Sequence, residues 1–207
     1  MIIFTLHLKD VYMKTEAINY NRLYDEAERY IKAQPKNYYL DRRTEYLAYM
    51  VALETGLRVS DLLLLKYDSF SFNRKLHKYC FTTHIKKTNS THTGVISSKL
   101  FELIDGMKSI INEEGYDSND YIFYNYKTNK PYTRQWLHKR IKIMGDKLGF
   151  ENCGVHSIRK ASAINVLDKT GSLSMAQYHL THKRATTTDK YLGVTQATAL
   201  EQLAKVF

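Results

Sequence analysis

Apolar positions recur with a helical period along most of the chain. Between residues 18 and 33, Tyr20, Leu23, Tyr24, Ala27, Tyr30 and Ile31 share one face, and Pro35 then stops the helix. A second helix is predicted from Asp41 to Glu54, carrying Tyr46, Leu47, Met50, Val51 and Leu53, with Gly56 as its C-cap. A short helix over Val59 to Lys66 follows directly. Residues 78–85 and 93–97 are instead rich in β-branched and aromatic side chains around a polar Asn89-Ser90-Thr91 tip, the pattern of a β-hairpin. Helices return over 98–113, 133–148, 157–169 and 173–180, and Thr133 is the N-cap of the second of these. A last amphipathic stretch, Ala197 to Phe207, sets Leu200, Leu203, Ala204 and Phe207 on one face. The expected class is α+β: mostly helical, with a small antiparallel sheet.

Length changes the picture little: 207 residues suit one well-buried core and are too few for two comfortable domains. No Gly/Ser-rich linker or repeat divides the chain, so we expect an N-terminal extension over 1–17 and one domain over 18–207. Charge changes it more. Lys and Arg exceed Asp and Glu to give a formal charge of +10, which favours a polyanionic partner, nucleic acid being the commonest. Cys80 and Cys153 are the only cysteines and form no CxxC pair, which argues against a disulfide framework or a cysteine-built zinc site and fits a reducing cytoplasm. The apolar start, Met1 to Leu8, lacks the basic region and cleavage site of a signal peptide. No stretch approaches the ~20 apolar residues of a membrane span. The expected protein is soluble and cytoplasmic, with no membrane partner.

Candidate chemistry follows from a polyanionic partner. A phosphodiester repels nucleophiles with its own negative charge, so metal-free attack needs cations at the phosphate, a nucleophile and a proton donor for the departing oxygen. Arginine suits the cation role because its rigid fork can donate two hydrogen bonds to one phosphate. Arg58 lies in Thr55-Gly56-Leu57-Arg58-Val59-Ser60-Asp61, where Leu57 and Val59 can anchor a turn and leave the arginine pointing outward. Asp61, three residues on, can orient it. Taken alone, Arg58 is equally well a surface helix-cap arginine. His156 and Arg159, three residues apart in His156-Ser157-Ile158-Arg159, share one helix face, which alone is also an ordinary polar first turn. Third comes Thr181-His182-Lys183-Arg184-Ala185-Thr186-Thr187-Thr188-Asp189-Lys190-Tyr191, a histidine and a tyrosine nine residues apart across a Thr-rich turn. His179 and His182 lack the cysteine, aspartate or glutamate at ligand spacing that zinc requires, so no metal is read there.

These pieces in this order resemble the tyrosine recombinases, or phage integrases, over about residues 18 to 195. Ala52 to Leu62 is similar to the family's first box, whose arginine, here Arg58, contacts the scissile phosphate with support from an acidic residue, here Asp61. His156 and Arg159 match the HxxR box, a proton-handling histidine and a second phosphate clamp. His182 occupies the position of the late histidine that hydrogen-bonds the phosphate, and Tyr191 that of the nucleophile. The family's lysine acid belongs on the hairpin; Lys87 is the first choice and Lys86 the second. The resemblance implies a catalytic domain that breaks and rejoins double-stranded DNA through a 3′-phosphotyrosyl link, with no cofactor, metal or ATP. It also implies assembly into a tetramer on DNA, with an accessory DNA-binding protein as a further partner, and a place at the nucleoid or in a host cytoplasm.

Three features depart from the family pattern. Lys160 follows the HxxR arginine where histidine is usual, and Thr181 precedes His182 where glycine is usual. Only about 17 residues precede the first helix, which leaves no room for the separate core-binding domain of most relatives. Two other activities compete with recombination: nicking and closing like a type IB topoisomerase, and non-catalytic DNA binding on the same fold. The segment 197–207 either folds back on its own domain or docks on a neighbouring protomer.

Overall fold

The computed structural model describes residues 20–32, 39–116, 120–151 and 153–181. Helix α1 (Tyr20–Lys32) leads to α2 (Tyr39–Thr55), which is buried along Tyr46 to Leu53 with no polar face left for solvent. That is the signature of a central helix. It packs against α1, against α4 (Ser98–Glu113), α5 (Arg134–Lys147) and α6 (Val155–Thr170), and against strand β3 (Ser90–Ile96). Helix α3 (Val59–Leu62) and a single 3-10 turn (Tyr67–Ser69) connect α2 to the sheet, and α7 (Leu173–His179) closes the described chain beside α6.

The sheet is an antiparallel meander of β1 (Phe70–Asn73), β2 (Lys78–Ile85) and β3, in the order β1-β2-β3. Phe81, fully buried, faces Gly94 across β2 and β3. A Cβ at position 94 would come within 2.4 Å of the Phe81 ring, so only glycine lets that ring lie flat over the partner strand. A two-stranded ribbon, β4 (Tyr124–Asn125) with β5 (Lys130–Pro131), precedes α5. Two caps fix the joints. Ser97 Oγ accepts from the Leu100 amide to open α4, while Glu54, at the end of α2, accepts from both the amide and hydroxyl of Ser97. Thr133 Oγ likewise accepts from the Trp136 amide and opens α5, as its sequence position suggested.

Three local differences from the sequence reading have physical causes. The helix expected over Val59 to Lys66 ends at Leu62, because Leu65 and Lys66 are drawn into strand-like pairing with residues 120–122: the Ile122 amide donates to the Leu65 carbonyl at 3.1 Å and Lys66 bridges Tyr121. Tertiary pairing here overrides local helix preference. The hairpin tip shifts towards the N-terminus, to residues 86–89, because Asn89 adopts a positive φ of 47° and closes a tight turn. Thr91 and His92 then join β3, opposite His84 and Thr83. The short β1, whose four residues carry too little pattern to be read alone, exists through its pairing with β2. The proposed extension over 1–17 and the amphipathic segment 197–207 lie outside the described residues.

Candidate active site

Gly56 ends α2 with φ +58°, and its amide still reaches back to the Ala52 carbonyl at 3.1 Å. This left-handed cap reverses the chain. Leu57 and Val59 then sink into the core on either side of Arg58, which is left half-buried in extended backbone at the start of α3. The guanidinium leaves the turn and donates through Nη1 to the Thr181 hydroxyl at 2.8 Å.

Arg159 projects from the first turn and a half of α6 and is almost wholly buried, 4% exposed. It donates through Nη1 to the Gly56 carbonyl and through Nη2 to the carbonyl of Leu180. Both arginines therefore tie the turn after α2 to the chain just after α7, Arg58 from within that turn and Arg159 by bridging the two. His156, one helical turn before Arg159, is exposed at the start of α6. Lys160 is buried at 4% exposure, and desolvation lowers its pKa.

Asp61 is fully buried, and one carboxylate oxygen accepts from the backbone amide of Lys86 at 3.3 Å. Among the described residues its other oxygen, Oδ2, has no hydrogen-bond partner. Its one hydrogen bond goes to the first residue of the hairpin turn rather than to Arg58, for α3 carries Asp61 inward under β2 while Arg58 leaves at the turn. Lys86 and Lys87 are both exposed in the turn that follows β2. His182 and Tyr191 lie outside the described residues.

A layer of histidines that sequence reasoning did not assign backs the arginines. His179 Nε2 lies 2.7 Å from Ser162 Oγ, and its pKa is lowered to about 4, first by burial and then by His92 and Arg159. His92, buried on β3 between Phe81 and Tyr178, is lowered too, by burial first and then by the Arg159 charge. A Cβ on Gly56 would approach His179 Nε2 to 2.8 Å, so this layer presses directly on the cap that precedes Arg58. Thr181 and the carbonyls of Gly56 and Leu180 also escaped the sequence reading; the replacement of a usual glycine by Thr181 was the one available signal. A groove of about 940 Å³ between β3, α1, α6 and α7 is lined by none of Arg58, Arg159, Lys86 and Lys87. The arginines instead converge on Leu180 and Thr181, just after α7. Among the described residues no group of three or more His, Cys, Asp and Glu side chains is arranged to hold a metal, and no helix is long and apolar enough to cross a membrane.

Known proteins share both the sequence pattern and this architecture. A protein of Bacillus subtilis named "Probable integrase/recombinase YoeC" is 24% identical over 166 residues, which cover 79% of this chain and 85% of that protein. Tyrosine recombinase XerC of Herpetosiphon aurantiacus is 28% identical over 152 residues, 73% of this chain and 48% of its own length. The fold superposes on the site-specific recombinase XerH in its pre-cleavage complex with difH with a TM-score of 0.73 at 23% identity, covering 93% of this chain and 55% of XerH. On the Tn1549 transposon integrase in complex with circular intermediate DNA the TM-score is 0.68 at 14% identity, covering 96% of this chain and 69% of that one. The chain thus spans about half the length of XerC and of XerH. The sequence profile of the Phage integrase family matches residues 14–198, which include Arg58, the HxxR pair and Tyr191, and by that match over most of its length the chain belongs to the phage integrase family.

Proposed function

We propose that this chain breaks and rejoins DNA strands through a covalent link to Tyr191, as a site-specific recombinase or integrase. The observation that carries the reading is the convergence of Arg58 and Arg159 on the chain immediately before His182: Arg58 reaches Thr181, and Arg159 reaches Leu180 while also holding the cap before Arg58. A pair of guanidinium forks at one place is the arrangement that stabilises growing charge on a phosphate. The formal charge of +10 supports a nucleic-acid partner, and XerH with difH and the Tn1549 integrase with circular intermediate DNA are relatives in fold bound to such substrates.

In this reading the Tyr191 hydroxyl oxygen attacks phosphorus, the bond to the 5′ oxygen breaks, and a 3′-phosphotyrosyl ester forms. His156 takes up the tyrosine proton, Lys87 gives a proton to the leaving 5′ oxygen, and Arg58, Arg159 and His182 bear the phosphate charge. A 5′ hydroxyl then reverses the step, so the energy of the broken bond stays in the ester. Four copies on two DNA sites complete an exchange.

The test is a duplex with a nick beside the cleavage site, so that the released fragment diffuses away and traps the link. The wild type should give a protein–DNA adduct that survives sodium dodecyl sulfate, and Tyr191→Phe should give none while binding the same DNA. Adduct formation by Tyr191→Phe at the wild-type rate would remove Tyr191 as nucleophile. Plasmid relaxation without recombinant product would point to a nicking-closing enzyme, and binding with no adduct from the wild type to a DNA-binding module.

A further inference from the structure

Thr181 has φ +55°, a left-handed conformation that is a genuine outlier for a β-branched residue. Glycine would occupy it without strain. The threonine does have one thing glycine lacks: its hydroxyl oxygen accepts the Arg58 Nη1 hydrogen bond at 2.8 Å, across 123 positions of sequence. The same peptide segment is held from the other side, where Arg159 donates to the Leu180 carbonyl. An outlier retained where it binds a functional group points to use rather than accident.

We infer that Thr181 is a positioning residue, whose hydroxyl pre-orients the Arg58 guanidinium and couples it to the segment that continues into His182; the inference rests on the reaction proposed above. Arginine has five N–H donors, and the Thr181 hydroxyl engages one of them, on Nη1. Held by that bond, the fork enters the reaction already turned, where a free side chain would first have to be ordered. Thr181 itself touches no reacting atom. Its strained backbone is offset by the cross-chain hydrogen bond, so shape and charge at the site depend on each other.

Three substitutions separate the hydroxyl from the strain. Thr181→Val keeps the branched shape and removes the acceptor; Thr181→Ser keeps the acceptor; Thr181→Gly removes both acceptor and strain. Single-turnover adduct formation on the nicked duplex, at saturating DNA, should slow about 10-fold or more in Thr181→Val and Thr181→Gly, the scale of one charge-assisted hydrogen bond, and recover to within about threefold in Thr181→Ser. Thr181→Gly should nevertheless melt within a few degrees of the wild type, because relief of the left-handed strain offsets the lost hydrogen bond, so its slower reaction does not come from unfolding. Nitrogen NMR of the Arg58 side chain reads the contact directly without DNA: restricted rotation of the guanidinium in the wild type and Thr181→Ser, free rotation in Thr181→Val. Wild-type rates in Thr181→Val, or an unchanged guanidinium signal there, overturn the inference. If the wild type itself formed no adduct, the proposed reaction would fall, while the NMR contrast would still decide whether Thr181 positions Arg58.

Discussion

Arg159 donates through Nη1 to the carbonyl of Gly56, 103 positions earlier in the chain and two residues before Arg58. One arginine thus helps build the turn that presents the other. The buried guanidinium has a structural duty to two carbonyls as well as its proposed duty to a phosphate, and the two should fail together when it is cut away.

Arg159→Ala should therefore lose at least ~100-fold in cleavage rate, the scale for removing one stabilising group at a developing anion. It should also lose about 2 kcal/mol or more of stability by stranding two backbone carbonyls. Arg159→Lys keeps the charge but not the planar fork, and should remain nearly as slow. Single-turnover cleavage and denaturant unfolding measure the two effects separately; a fully stable, fast Arg159→Lys would contradict the geometry.

Gly56→Ala should be destabilising although it adds only a methyl group. The backbone at φ +58° disfavours any side chain, and the new carbon would press on His179 at 2.8 Å. A loss of about 1–3 kcal/mol is expected, seen as a drop of several degrees in melting temperature. Slower cleavage should accompany it, since the displaced turn carries Arg58.

Asp61→Ala should loosen the hairpin that carries Lys86 and Lys87. The carboxylate accepts from the Lys86 amide, and no other partner of that amide is found among the described residues. Hydrogen exchange at Lys86 should speed up while the rest of β2 stays protected, and cleavage should slow with little change in DNA affinity. Unchanged exchange at Lys86 would show that the hairpin is held by its strand pairing alone.

His179 sets a pH limit on the fold. Burial, His92 and Arg159 lower its pKa to about 4 from the ordinary 6.5, so the folded state holds the ring neutral where the unfolded chain would take a proton. Its contribution to stability is complete above about pH 6.5 and is lost as pH falls towards 4, at up to about 1.4 kcal/mol for each pH unit. His179→Gln, which can still meet the Ser162 hydroxyl, should unfold with a shallower pH dependence in that window. Identical slopes for the two proteins in urea titrations would refute the assignment.

DNA binding should weaken steeply with salt. A chain of net charge +10 that meets phosphates releases counterions on binding, and log affinity falls linearly with log salt. Titrations between about 50 and 200 mM salt should lose two or more decades of affinity. A flat dependence would mean that apolar contacts dominate.

The order of boxes along the chain, the helix boundaries from 98 to 113 and the Thr133 cap were all legible in the sequence, because local rules govern them: hydrophobic period, a capping hydroxyl, a glycine after a helix. Arg58 was legible as a side chain left out of the core for the same reason, since Leu57 and Val59 pull the turn inward on both sides, although it ends half-buried rather than pointing outward. Its partner was not. The neighbour three residues away, Asp61, gives its carboxylate to Lys86, and the hydroxyl that holds Arg58 comes from Thr181 at the far end of the described chain. Likewise β1 exists only through β2, and the helix begun at Val59 stops where residues 120–122 capture Leu65 and Lys66. Spacing along one chain reports which side chains share a face of one element. Which carbonyl, carboxylate or hydroxyl meets a guanidinium from another element is decided only when the core fixes how those elements pack, and that is why the residues were readable in advance while their contacts were not.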